Sequence, residues 1–160
     1  MQYATVQDMI DRFGEPEMIQ LTDAAHQAAV QPARIQLKLD DAHALADGYL
    51  ARVFALPLTG CAKPVGVGAV EMVPPPQLTR AVCDIARYYL YDDLAPESEV
   101  YRRYKQATTE LQAIADGKAQ LMCPWGGQPG QSADSGPAAG ETYHAFAPRQ
   151  IGRDVDGGYR

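Results

Sequence analysis

The chain has 160 residues, 46% of them hydrophobic, and carries a formal charge of -6. That length suits one core plus accessory segments, and the apolar content is enough to build it. The acidic balance excludes a general electrostatic attraction to nucleic acid or an anionic membrane surface, and no apolar run is long enough to cross a bilayer.

The N-terminal stretch MQYATVQDMIDRF is charged and amphipathic and lacks the apolar core of a signal peptide, so export by the usual route is not expected. Thr5 reads as an N-cap with Asp8 completing a capping box, Val6, Met9, Ile10 and Phe13 recur at helical spacing, and Gly14 suits the stop. Glu15-Pro16-Glu17 opens a second short helix carrying Met18, Ile19 and Leu21. A polar connection containing His26 leads to Pro32, which opens a helix over about 32–53. Its inward face holds Ile35, Leu39, Ala42, Ala46, Tyr49, Leu50 and Val53, while Leu37 falls on the polar side. His43 sits at the margin as a hydrogen-bonded boundary residue, with no second ligand at metal-site spacing.

Residues 59–76 form a long connection in which Val65, Val67, Ala69 and Val70 make at most a weak strand or an extended loop. Gly66-Val67-Gly68 lacks the further residues of a dinucleotide or phosphate loop. Next comes the stretch 77–93, QLTRAVCDIARYYLYDD, which reads as the central helix. Leu78, Ala81, Val82, Ile85 and Tyr89 share one face. Arg80, Asp84, Arg87 and Tyr91 fall on a charged back that can pair along the helix; it reads as a solvated back or, since arginine and tyrosine are enriched at interfaces, as a contact with another protein chain. A last helix over about 96–116 carries the inward stripe Val100, Tyr104, Ala107, Leu111 and Ile114, with Gly117 as its cap. Arg102, Arg103 and Lys105 form the one basic cluster.

The composition shifts at Cys123 to a Gly/Pro/Ser/Gln segment that cannot bury enough surface to fold alone. Beyond it, aromatic and basic residues are spaced by polar ones, the pattern of an arm that anchors in a partner's groove. Its contact candidates are Trp125, Tyr143, Phe146, Arg149, Ile151, Arg153 and Tyr159. Thr142, His144 and Phe146 alternate with Tyr143 and Ala145, the period of a strand added to a sheet edge. The cysteines, Cys61, Cys83 and Cys123, are odd in number and show no CxxC spacing, so reduced thiols are expected. Scattered histidines and the absence of a nucleophile motif give no catalytic residues, no metal site and no cofactor, and an enzyme is not expected.

The expected architecture is therefore all-α: a small bundle of four to five helices over residues 1–122, interrupted by the loop at 59–76, with an extended C-terminal arm over 123–160. The candidate subunit interface is Leu37, Arg80, Asp84, Arg87 and Tyr91.

Several stretches carry a resemblance. They are Tyr3-Ala4-Thr5 with Asp8-Met9-Ile10-Asp11-Arg12-Phe13-Gly14, Leu21-Thr22-Asp23, Asp47-Gly48-Tyr49-Leu50, Leu56-Pro57-Leu58, and above all Leu78–Tyr88 with Tyr91 after it. In order and spacing the chain resembles the small proteins of Mu-like phages and prophages related to head–tail connectors, also called adaptor or head-completion proteins. The loop at 59–76 is longer than that family's short link. The resemblance implies a virion protein at the neck of the particle, made in the host cytoplasm. It implies a homo-oligomeric ring, commonly dodecameric, beneath the portal protein. Such a ring passes DNA through its channel without specific binding and offers a platform to the next neck or tail protein, a stopper or tail terminator. No membrane is involved. The alternative is a small helical nucleic-acid-binding or regulatory phage protein, with the basic cluster at 102–105 as its support.

Overall fold

The computed structural model describes residues 1–91 and 98–133. Among these described residues, five helices and one two-stranded antiparallel sheet follow in the order α1 (Val6–Phe13), α2 (Glu15–Thr22), α3 (Pro32–Leu50), β1 (Cys61–Gly66), β2 (Ala69–Val73), α4 (Pro76–Leu90) and α5 (Glu99–Ala115). The all-α expectation is thus corrected to a mixed α/β fold, because the connection at 59–76 pairs with itself. Cys61 stands opposite Val73, Ala62 opposite Met72, Lys63 opposite Glu71 and Pro64 opposite Val70, with an irregularity at Val65. Gly68, at φ +74°, supplies the left-handed residue that the hairpin turn needs.

The helices begin and end where their local chemistry directs. At α1 the Asp8 N–H donates to Thr5 Oγ1 (3.2 Å) while the Thr5 N–H donates to Asp8 Oδ2 (2.8 Å), a reciprocal capping box. Gly14, at φ +89°, ends the helix and returns its N–H to the Ile10 carbonyl. Prolines open α2, α3 and α4 in the first turn, where the missing N–H costs nothing. Ser98 caps α5 by accepting from the Tyr101 N–H.

α3, α4 and α5 make the core, with α1 laid across α3 and α4. The expected stripes are inside: Ile35, Leu39, Ala42, Ala46 and Leu50 meet Leu78, Val82 and Ile85, and Ala107, Leu111 and Ile114 close the third side. α4 is the most enclosed element. Asp84 on its supposedly solvated back is only 5% exposed, so that expectation is also corrected. The reason is tertiary, since the N-terminal arm of the fold and α5 cover the side of α4 that its own sequence leaves charged.

The reduced-thiol expectation is corrected too. Cys61 and Cys123 form a disulfide across 62 positions, and only Cys83 is free, buried in the core. Burial pushes the Cys83 thiol up to about 12, which keeps it protonated and inert. Around the disulfide, residues 123–133 run along the body. Pro129 accepts from the Gly60 N–H and the Thr59 hydroxyl, Gln131 accepts from the Ala55 N–H, and the Ala133 N–H donates to the Val53 carbonyl.

Candidate interaction surfaces

Asp84 faces a cavity of about 340 Å3 where α1, α4 and α5 meet, walled by Arg12, Phe13, Arg80, Arg103 and Gln106. Arg80 approaches the carboxylate at 3.9 Å and places its other nitrogen 2.5 Å from Glu110. Burial pushes the Asp84 carboxyl above its ordinary range, and the pull of Arg103, Arg80, Arg87 and Arg12 does not cancel it.

Arg87 does not pair with Asp84. Its Nε and Nη2 grip Glu17 of α2 at 2.6 and 2.8 Å, a two-pronged fork, and its guanidinium lies 4.5 Å over the Phe13 ring. The Tyr91 hydroxyl donates to the same carboxylate at 3.1 Å. Burial works against the Arg87 cation, but Glu17 more than offsets it, so the guanidinium is held above its ordinary value. Three of the residues singled out for a subunit contact therefore have work inside their own chain: Arg80, Arg87 and Tyr91 hold α4 to α5 and α2. Leu37 is different. It is 59% exposed on α3.

On the α3–α4 side a shallow groove is lined by Lys38, Asp41, Leu45, Tyr88, Tyr89 and Tyr91. Tyr88 stacks on Tyr104 of α5 with ring centroids 4.2 Å apart. His43 behaves as a boundary residue: its Nε2 accepts the N–H groups of Tyr3 and Ala4, each at 3.1 Å, and burial lowers its pKa. The Tyr3 hydroxyl donates to Asp47.

Sequence reasoning missed the surface that departs most from an ordinary solvated exterior. Strand pleating sets Cys61, Lys63, Glu71 and Val73 on one side of the hairpin and Ala62, Pro64, Val70 and Met72 on the other. Cys61 is buried and Val73 half-buried, so that side turns toward the body at its base, while Lys63 and Glu71 farther along it are exposed. The side turned away carries no polar side chain, with Val70 63% and Met72 50% exposed. The available signal was the alternation of Val70 and Met72 around Glu71. Of the arm's contact candidates, Trp125 is described. It is partly exposed and shares a cavity with Lys63, Val73, Pro74 and Tyr3. Tyr143, Phe146, Arg149, Ile151, Arg153 and Tyr159 lie outside the described residues.

These surfaces sit on a chain that is a protein of Mu-like bacteriophages. More narrowly, it belongs to the family described as Bacteriophage Mu, Gp36, whose model matches residues 3–139. The protein "Gene product J" of Escherichia phage Mu is 34% identical to it over 120 residues, which cover 74% of each chain.

Proposed function

We propose that this chain is a structural virion protein, a head-to-tail adaptor whose copies form a ring beneath the portal. In this reading the ring passes DNA through its centre and presents a platform to the next neck protein. The observation that supports the reading is membership of the Mu family over 137 residues, 3–139, a span that takes in the helical body and its central helix. The surfaces agree with it. They offer an exposed Leu37 on α3 and an uncovered apolar hairpin, and exposed apolar patches are features that bind proteins.

The regulator reading rests on Arg102, Arg103 and Lys105, and Arg103 already pairs with Glu99 at 2.6 Å. A ring is a head-to-tail assembly, so each copy needs two different patches. Leu37 on α3 is one candidate, and the arm beyond residue 133 supplies contacts to the portal or a neighbouring copy. Catalysis has no part in this role.

The test is a mass measurement of the purified full chain, alone and mixed with a portal protein, beside a duplex-DNA gel shift. The adaptor reading expects a ring-sized species, at least with the portal, and weak or no DNA binding at physiological salt. Sub-micromolar DNA binding by a chain that ignores the portal would replace it with the regulator. Because residues 123–133 are fastened to the body, the arm is best removed after Ala133. The shortened chain should keep its helical signal and fail to join portal-containing heads.

A further inference from the structure

The hairpin is built the wrong way round for an element meant to face water. A two-stranded ribbon is marginal in water by itself. This one is anchored at its base by the Cys61–Cys123 disulfide, yet its outward side is wholly apolar and Val67 at the turn is fully exposed. The outer edge of β2 has no backbone partner among the described residues. β2 contains no proline, whereas β1 contains Pro64, so β2 is the edge with a full set of N–H donors.

The chain itself contains a segment of matching pattern. Residues 141–147, Glu-Thr-Tyr-His-Ala-Phe-Ala, lie outside the described residues and are followed by Pro148, which has no N–H and stops a ladder. Tyr143, Ala145 and Ala147 alternate with Thr142, His144 and Phe146. As a strand, the first set would continue the apolar side of the hairpin, and Thr142, His144 and Phe146 would join Lys63, Glu71 and the half-buried Val73 on the side that faces the body.

We propose that residues 141–147 of one copy add as a third strand to the β2 edge of a neighbouring copy. This rests on the ring reading and extends it, because such an exchange links each subunit to the next. The neighbour is favoured over the same chain by direction. Pro129 lies beside Gly60, Gln131 beside Ala55 and Ala133 beside Val53, so the chain leaves the body heading away from its own hairpin. The linker 134–140 spans up to about 24 Å when extended. A third strand gives the hairpin the minimum sheet for independent stability, and Tyr143 covers part of the exposed Val70–Met72 surface. Residues past Pro148, including Arg149, Arg153 and Tyr159, remain for the portal.

The experiment is cysteine cross-linking in the full-length chain. One preparation carries Glu71→Cys, on the polar side of β2, and a second carries Thr142→Cys or His144→Cys. Mixed and mildly oxidised, they are expected to give a heterodimer of the two variants, and a chain carrying both substitutions should give a ladder of linked copies. Adding Met72→Asp to the Glu71→Cys chain should cut the yield by about tenfold, the loss of one good contact, without moving the melting temperature of the unassembled chain. Closure within single chains only would place the arm on its own hairpin and overturn the proposal. Absence of cross-links in a preparation whose mass still shows a ring would overturn it and leave the ring reading standing. Absence of both would remove the two together.

Discussion

α4 and the β1–β2 hairpin treat their side chains in opposite ways. α4 carries charges at Arg80, Asp84 and Arg87, and the fold turns them inward or satisfies them within the chain, by Glu110 and by Glu17. The hairpin carries few charges, and the fold leaves its apolar side in solvent. An arginine- and tyrosine-rich helix face resembles an interface when read alone, but here it holds α2, α4 and α5 together. The surface the molecule leaves open on the hairpin is the apolar one. Exposed apolar side chains clustered on one element are a stronger sign of a missing partner than charges that have already found theirs.

The largest expected effect breaks the inward half of the comparison. Ile85→Asp places an unpaired charge in the fully buried centre of α4 and should cost several kcal/mol, read as loss of the cooperative melt. A soluble Ile85→Asp protein with an unchanged melting temperature would falsify the assignment of that face to the core. Next comes the staple under the hairpin. Removing the Cys61–Cys123 link, by reduction or by Cys61→Ser, frees a loop of 62 positions and should cost about 4 kcal/mol by chain entropy. Equal denaturation midpoints with and without reductant would show that the staple contributes nothing.

Arg87→Ala leaves Glu17 half-buried without its fork and should cost about 2 kcal/mol. Arg87→Lys should recover less than half of that, because lysine cannot bond both oxygens in parallel. Full rescue by lysine would mean that charge alone matters there.

A smaller effect is pH-dependent. The folded pKa of His43 is lowered, chiefly by burial, so the folded state binds fewer protons than the unfolded one. Its contribution is therefore present above the unfolded value of about 6.5 and is lost as pH falls below it. The melting temperature should drop between about pH 7 and about pH 5, and His43→Asn should remove part of that slope. An unchanged slope in the variant would assign the acid sensitivity to other groups.

The helices were legible because their signals are local. The Thr5–Asp8 box, the prolines near helix starts and the stripes at helical spacing all act within a few residues. The sheet was legible only as one weak strand or extended loop around 65–70, since strands of six and five residues containing Pro64, Gly66 and exposed valines show little of the in–out pattern that marks a half-buried strand. Cysteine parity failed because Cys83 is core filler, which leaves an even pair for the bridge. The burial of Asp84 and the Glu17–Arg87 fork depend on partners brought together across the chain, 70 positions apart for the fork. Nothing near Arg87 in the sequence announces Glu17.

The difference between the two regions comes down to one substitution with two readouts. Met72→Asp changes a half-exposed residue on the outward side of the hairpin, so its cost to stability should stay within about 0.5 kcal/mol. The decisive measurement is the solution mass of full-length Met72→Asp beside the unsubstituted chain in the presence of portal protein, with the melting temperature of each recorded without portal at a dilution where neither assembles. The account predicts matching melting temperatures, with the unsubstituted chain assembled and the variant left as single copies. A variant that assembles as fully as the unsubstituted chain would contradict it.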